Sequence, residues 1–196
     1  GILSFEEMLR VVENAVALGV SKVRVTGGEP LTRRGVVDFM RRLGEIRGLQ
    51  DIGLSTNGTL LARRIESGET MANALRSCRI NAVNISLDTL DRAHYAAITG
   101  RDFLPDVFAG IDAAIAAGFP QIKLNTVLMR ARNEDQLVPL IEFARDRGLL
   151  LRFIELMPVS TNEVLSEENF MSIGHATRMI ESHYGPLIPE PSFRTN

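Results

Sequence analysis

The residues best suited to chemistry lie at 22–30, which read Lys-Val-Arg-Val-Thr-Gly-Gly-Glu-Pro. The segment begins with the alternation of a strand, so that Lys22 and Arg24 share one face. Gly27 and Gly28 then allow the backbone to turn sharply or to approach a bound molecule, and Glu29 adds a carboxylate. This pattern predicts a binding site at the carboxyl end of a strand. A plain strand-to-helix turn explains the motif, taken alone, equally well.

Polar residues alternate with apolar ones in three further segments. The residues on the polar side are Lys22, Arg24, Thr26, Ser55, Asn57, Asn84, Ser86, Lys123 and Asn125. Strands buried between two helical layers are apolar on both faces, so the pattern favours a sheet curled around a polar cavity with helices outside. A sheet with one face exposed to solvent explains the same alternation and stays an alternative.

The elements that must position these residues are predicted to alternate between strand and helix. The predicted strands are 22–26, 50–57, 79–88, 121–129 and 149–157. The predicted helices are 5–18, which starts at a capping box formed by Ser4 and Glu7, and then 36–46, 60–77, 105–117, 134–147 with Asn133 as its cap, and 167–183; residues 91–102 are predicted to form a loop. This order predicts parallel strands joined by right-handed crossovers, which is an α/β fold.

Composition excludes several classes of protein. The net charge of −2 gives no basic field that would attract nucleic acid, and no apolar run approaches the roughly 20 residues of a membrane span. The first residues carry helix signals and not a secretory leader. The single cysteine, Cys78, excludes an internal disulfide and a thiolate cluster, and permits a cytoplasmic location.

The remaining candidate ligands do not form a metal site by spacing. His94, His175 and His183 fit no metal motif, and His175 and His183 are expected on the solvated face of a helix. We therefore predict no metal ligands, and no catalytic acid or base is assigned. Residues 1–185 are predicted to form one core, and residues 186–196 a proline-rich segment that leads to a C-terminal region absent from this sequence.

Several motifs together resemble a known enzyme family. They are Thr-Gly-Gly-Glu-Pro at 26–30, Ser-Thr-Asn-Gly at 55–58, Asn-Ile-Ser-Leu-Asp at 84–88, Ile-Thr-Gly at 98–100, Ile-Lys-Leu-Asn at 122–125 and Arg-Phe-Ile-Glu-Leu-Met-Pro at 152–158. In this order and spacing they are similar to the GTP 3′,8-cyclase family of radical S-adenosylmethionine (radical SAM) enzymes, over nearly the whole chain. The resemblance implies a partial TIM-like β/α barrel.

The resemblance also implies a reaction and its cofactors. The full enzyme is expected to use a 5′-deoxyadenosyl radical from S-adenosylmethionine to convert GTP into 3′,8-cyclo-7,8-dihydro-GTP in molybdenum-cofactor biosynthesis. An external electron donor and cyclic pyranopterin monophosphate synthase, the next enzyme, are the implied partners. The family holds two [4Fe–4S] clusters with cysteines that this sequence lacks, so we expect the chain alone to be a truncated, inactive portion. The family's first strand is also missing, which predicts an unpaired strand edge that favours a homodimer.

Site residues are carried over from the family position by position. The implied S-adenosylmethionine contacts are Gly27, Gly28, Glu29, Ser86 and Met157, and the implied GTP contacts are Lys22, Arg24, Ser55, Lys123 and Arg152. Without the resemblance, Ser86 would be interpreted as an ordinary core serine and Met157 as a methionine that only packs. Arg152 and Met157 have opposite parity, so both can face one cavity only if the strand bends or ends between them.

Two alternatives to a GTP 3′,8-cyclase stay open. One is another radical SAM enzyme that acts on a non-nucleotide substrate such as a peptide, and the other is a catalytically inactive nucleotide-binding fragment. Several cations that converge on one cavity favour a phosphorylated substrate, because arginine offers a bidentate fork and lysine a point charge.

Overall fold

Five parallel strands carry the polar residues. The computed structural model describes residues 2–157 and 169–190. The strands are β1 (Lys22–Val25), β2 (Asp51–Thr56), β3 (Ala82–Ser86), β4 (Gln121–Leu128) and β5 (Leu150–Glu155). They form one open sheet in the order β1-β2-β3-β4-β5, with every neighbouring pair parallel. The predicted α/β fold with parallel strands is confirmed.

Helices connect the strands and pack on one side of the sheet. They are α1 (Phe5–Ala17), α2 (Val36–Glu45), α3 (Met71–Ser77), α4 (Arg92–Thr99), α5 (Leu104–Ala116), α6 (Leu137–Asp146) and α7 (Ile173–Tyr184), with 3-10 turns at Pro30–Thr32 and Glu134–Gln136. The predicted capping box is present, since Ser4 Oγ accepts from Glu7 N at 3.1 Å and Glu7 Oε2 accepts from Ser4 N at 2.7 Å.

The apolar face of the sheet forms the main core together with the helices. Leu54, Ile85 and Leu124 from three adjacent strands are fully buried. The helices contribute Leu43, Leu75, Ile111 and Leu140 to the same cluster. Because one sheet face carries the core, the opposite face is left to the polar residues.

A glycine contact fixes the loop after β2. A Cβ on Gly110 of α5 would lie only 2.0 Å from the carbonyl oxygen of Gly58. The helix therefore packs directly on the backbone of this loop, which any larger residue at position 110 would push away. Among the described residues, no helix is long and apolar enough to cross a bilayer.

The extent of one predicted helix and the type of one predicted segment were wrong. The segment 60–77 is helical only over Met71–Ser77, because a turn around Gly68, in a left-handed conformation (φ 84°), interrupts it. The predicted loop 91–102 contains α4, in which Asp91 accepts from His94 N at 2.7 Å and Gly100 ends the helix with φ 71°. The polar composition of this segment led to the prediction of a loop, although Asp91 and Gly100 are ordinary helix-capping residues.

Several element ends also differ from prediction. The strands begin or end up to three residues inside the predicted bounds. The last helix begins at Ile173 with Ser172 as its cap, and its predicted start at position 167 lies outside the described residues, as do Pro158 and Pro191. Asn133 makes no cap hydrogen bond, because its side chain bonds instead to the ends of β3 and β4.

Candidate functional site

The strand register gathers most of the predicted site residues on one face. Arg24 pairs with Gly53; Ser55, Asn84 and Lys123 form the next row; and Ser86, Asn125 and Arg152 form the row after that. Residues that pair in register in a parallel sheet project to the same side. The sheet therefore arranges hydroxyl, carboxamide and cationic groups in consecutive rows.

Arg24 extends across this face from β1. A Cβ on Gly53 would lie 2.9 Å from Arg24 Nη1, so the guanidinium occupies the space that glycine leaves free. A cavity of about 210 Å³ lies here. Its lining residues are Lys22, Val23, Arg24, Asp51, Gly53, Gln121 and Lys123. Two of the predicted substrate cations, Lys22 and Arg24, are exposed, and Lys123 is buried.

Lys123 is buried among like charges. It lies on the polar face of the sheet, in the row of Asn84, with only 3% of the residue exposed. Burial lowers the pKa of the Lys123 amine, the positive charges of Arg152 and Arg24 lower it further, and Asp51 opposes them. None of these three cations forms an ion pair within the described residues. A converging set of cations that forms no ion pair with a carboxylate is suited to a polyanion.

Two carboxamides on the same face lack partners. Asn84 Oδ1 and Asn125 Oδ1 are the buried side-chain oxygen or nitrogen atoms of the described residues that have no hydrogen bond. Buried polar atoms are nearly always bonded, so two exceptions in adjacent rows of one face favour a surface that a ligand completes. The sequence placed both residues on the polar face, but nothing local to them indicated that their side-chain oxygens would be buried without partners.

The glycine motif follows β1 at the carboxyl edge of the sheet. Gly27 and Gly28 are exposed, and a Cβ on either would meet no atom within 4 Å. Glu29, in contrast, is engaged within the chain. Its carboxylate accepts from Leu31 N at 3.1 Å, Thr56 Oγ1 at 2.8 Å and Asn57 N at 2.6 Å. Glu29 thus ties the glycine turn to the end of β2, and about one of its four acceptor positions stays open.

The other implied cofactor contacts lie at the same edge. Ser86 is exposed at the end of β3. Met157 is 59% exposed and lies beyond the end of β5 at Glu155. The strand therefore ends between Arg152 and Met157, which removes the conflict of parity. Ser55 is half-buried beside Asn84 in its row.

Asp88 is a residue of this edge that sequence reasoning did not select. Desolvation raises the pKa of the Asp88 carboxyl, against the opposing effect of the hydrogen bond it accepts from Val127 N at 2.8 Å. Asn133 closes the same network, donating to the carbonyls of Asp88 and Val127 and accepting from Met129 N. In the sequence, the only indication of this network was a polar residue after each of two strands, Asp88 after β3 and Asn133 after β4.

The described residues fit S-adenosylmethionine but not an iron–sulfur cluster. Open space over two exposed glycines and a nearby serine hydroxyl can receive an amino-acid and ribose moiety. Such clusters need several thiolates, whereas Cys78 is the sole cysteine of the sequence and lies buried, with its thiol directed to Ala74 O at 3.1 Å. Within the described segments, no group of three or more acidic, histidine or cysteine residues could hold a metal ion.

Comparison with protein families and curated sequences gives consistent results. The profile of the Radical SAM superfamily matches residues 1–144. A GTP 3′,8-cyclase of Ectopseudomonas mendocina is 45% identical over 184 residues, covering 93% of this chain and 54% of that protein. One of Thermodesulfovibrio yellowstonii is 42% identical over 188 residues, covering 96% and 56%. The chain spans about half the length of the curated relatives it matches.

Solved structures share the fold. HydG, a maturase of the [FeFe]-hydrogenase, superposes with a TM-score of 0.69 at 14% identity, covering 92% of this chain and 42% of that one. Streptococcus suis SuiB bound to S-adenosylmethionine gives a TM-score of 0.65 at 17% identity, covering 82% and 36%. At these identities the likeness concerns the fold alone.

Proposed function

Because the chain belongs to the radical SAM superfamily, we propose that it is part of a GTP 3′,8-cyclase, which converts GTP to 3′,8-cyclo-7,8-dihydro-GTP in molybdenum-cofactor biosynthesis. The curated relatives that match most of this chain carry that name. The observation that carries the proposal is the convergence of Arg24, Lys123 and Arg152 on one face, where none of them forms an ion pair with a carboxylate of the described residues. A triphosphate supplies the negative charge that these groups lack.

In this proposal the chain binds and orients GTP. Arg24, Lys123 and Arg152 contact the phosphates, with Lys22 at the rim of the cavity and Ser55 donating its hydroxyl beside Asn84. The hydrogen abstraction that starts the reaction is chemistry that bound S-adenosylmethionine supplies. The residues of this chain hold the substrate in place and exclude water from it, which accounts for a large share of such catalysis.

S-adenosylmethionine is proposed to bind at the carboxyl edge of the sheet. Gly27 and Gly28 leave their backbone accessible to its amino group, while Glu29 fixes the turn and has an acceptor position left. Ser86 and Met157 are exposed at the ends of β3 and β5 and would contact the ribose and adenine. The support for this arrangement is the accessibility of these groups along one edge.

Calorimetric titration of the 196-residue chain with GTP, GMP and guanosine tests the substrate. We expect the affinity to fall in that order and to fall with added salt, because the phosphates provide most of the binding. Arg24→Ala should lower the affinity for GTP by about tenfold or more, as expected when a hydrogen bond to a charged group is lost. Arg10→Ala, at an exposed position of α1, is the control. Equal affinity for guanosine and GTP, or tighter binding of a neutral peptide, would favour a radical SAM enzyme with another substrate.

The isolated chain is proposed to be catalytically inactive. One buried cysteine cannot hold a cluster, so anaerobic iron–sulfur reconstitution should give no 5′-deoxyadenosine. Measurable turnover would contradict this. The division into a core at 1–185 and a proline-rich segment at 186–196 also remains a proposal, with 191–196 outside the described residues.

Location and partners follow from the proposed pathway. We place the protein in the cytoplasm, with an external electron donor and with product transfer to cyclic pyranopterin monophosphate synthase. Homodimerisation is proposed through β1, which pairs only with β2 in the described sheet and leaves its other edge open. Light scattering that shows a monomer at high protein concentration would count against a dimer.

A further inference from the structure

One unpartnered buried atom lies in the middle of the cationic face. Asn84 is 6% exposed, and its Oδ1 has no hydrogen-bond partner among the described residues. Ser55 and Lys123 are its register partners on either side. Both carry donors, yet neither bonds to it in this structure. Leaving a buried acceptor without a partner is costly, so the position is explained best by a donor that arrives with a ligand.

The chemistry of the acceptor restricts which part of a ligand it can contact. A carboxamide oxygen accepts hydrogen bonds and needs an O–H or N–H group opposite it. Ionised phosphate oxygens are acceptors only, so Asn84 Oδ1 cannot bond to the groups that the neighbouring cations attract. The groups of a nucleotide that can donate to it are its hydroxyls and its N–H groups.

The strand register indicates which donor it is. The row of Arg24 lies on one side of the row of Asn84, and the row of Arg152 lies on the other. Phosphates held between these two arginines leave the sugar, to which they are joined, as the nearest donor-bearing part of a nucleotide. The guanine donors lie further from the phosphates than the ribose hydroxyls do.

We propose, on the basis of the proposed function, that Asn84 determines specificity by accepting a hydrogen bond from a ribose hydroxyl of the bound nucleoside triphosphate. A site that is built to bond a hydroxyl disfavours the analogue lacking it, because the buried acceptor is then left unpaired. Asn84 would thereby select ribonucleotides over deoxyribonucleotides. The free-energy cost of the unpaired Asn84 oxygen in the unliganded chain is offset when the nucleotide binds.

Calorimetry with GTP, 2′-deoxy-GTP and 3′-deoxy-GTP tests this on the 196-residue chain. We expect GTP to bind about tenfold more tightly than at least one deoxy analogue, in line with one buried hydrogen bond. Asn84→Ala should lower the affinity for GTP to that of this analogue, so that the variant binds all three ligands with similar affinity. Asn73→Ala, at an exposed position of α3, should retain the full discrimination.

Three outcomes would overturn the inference. If the unsubstituted chain binds GTP and both deoxy analogues equally, Asn84 selects no hydroxyl, a result that requires no folded variant. If Asn84→Ala retains the same discrimination as the unsubstituted chain, another residue reads the ribose, and the proposed function stands. If the unsubstituted chain binds no GTP at all, the inference and the nucleotide-binding proposal fail together.

Discussion

The guanidinium of Arg24 lies over the α-carbon of Gly53, its register partner on the neighbouring strand. The three atoms closest to a Cβ built on Gly53 all belong to that guanidinium, at 2.9–3.2 Å. The glycine therefore gives the arginine a path across the sheet toward Lys123. The contact is with the end of a flexible side chain, so a methyl group at position 53 would move the arginine and not the strand.

The first prediction concerns Gly53→Ala. The added methyl group should displace the Arg24 guanidinium and weaken GTP binding by about tenfold, as for a lost charged hydrogen bond. The free energy of unfolding should change by less than about 1 kcal/mol, since only a side-chain end must shift. Calorimetry and urea unfolding measure the two effects. In an Arg24→Ala background the same substitution should have little further effect on affinity, and an undiminished loss there would contradict the explanation.

The second prediction uses the lowered pKa of Lys123. The unfolded chain holds this proton more firmly than the folded chain does, so the free energy of unfolding rises with pH between the lowered pKa and the usual value of 10.5. Lys123→Met should therefore stabilise the unliganded chain at pH 7 by about 1 kcal/mol, as expected when an unpaired buried charge is removed. The advantage should shrink as the pH rises through that window.

Thermal unfolding at several pH values, with and without GTP, measures this difference. The same variant should lose most of the stabilisation that GTP provides, because the amine is proposed to bind phosphate. Arg10→Met, at an exposed position of α1, is the control for the stability effect. A Lys123→Met variant less stable than the unsubstituted chain at pH 7 would show that the amine is satisfied in the fold.

Local patterns in the sequence were sufficient to predict the sheet and its polar face. The alternation through Arg24, Ser86 and Lys123 depends only on the two-residue period of a strand, and the Ser4 capping box depends on four residues. These features need no knowledge of distant segments, so the alternation of strands and helices and the shared polar face could be predicted from the sequence. The resemblance to a family then suggested roles for the residues.

Contacts between residues that are far apart in the chain could not be predicted from the sequence. Asn133 was predicted as a helix cap, but it bonds to the carbonyl of Asp88, 45 residues away, once β3 and β4 pair. The role of Gly53 depends on the register between β1 and β2. The lack of a partner for Asn84 Oδ1 depends on how β2, β3 and β4 lie side by side. Such properties arise only when the strands have assembled.

The third prediction concerns Glu29, whose oxygens accept three hydrogen bonds from donors in the 3-10 turn after β1 and at the end of β2. Glutamine would place an amide donor opposite an N–H or O–H group, so Glu29→Gln is not conservative at this position. We expect it to lower the free energy of unfolding by about 2 kcal/mol. Glu66→Gln, at an exposed position, should change it little. If Glu29→Gln were as stable as the control, the carboxylate would be free for the cofactor and not engaged in the fold.

The last prediction concerns Asn133, which joins the ends of β3 and β4. Its side chain is 1% exposed and makes three hydrogen bonds: Nδ2 donates to Asp88 O at 2.9 Å and to Val127 O at 2.8 Å, and Oδ1 accepts from Met129 N at 2.9 Å. Asn133→Ala removes all three bonds and leaves the buried N–H of Met129 without this acceptor, so the free energy of unfolding should fall by about 3 kcal/mol. Asn73→Ala is the exposed control.

A comparison of two variants separates the acceptor from the donors of Asn133. Asn133→Asp keeps an oxygen for Met129 N and loses both donors, whereas Asn133→Ala loses all three bonds. Amide hydrogen exchange at Met129 should therefore accelerate in the alanine variant and stay slow in the aspartate variant, while both variants unfold at lower urea concentration. Equal protection of Met129 in the two variants would mean that the strand ends are held by other contacts, and that Asn133 does not position the edge that carries Ser86.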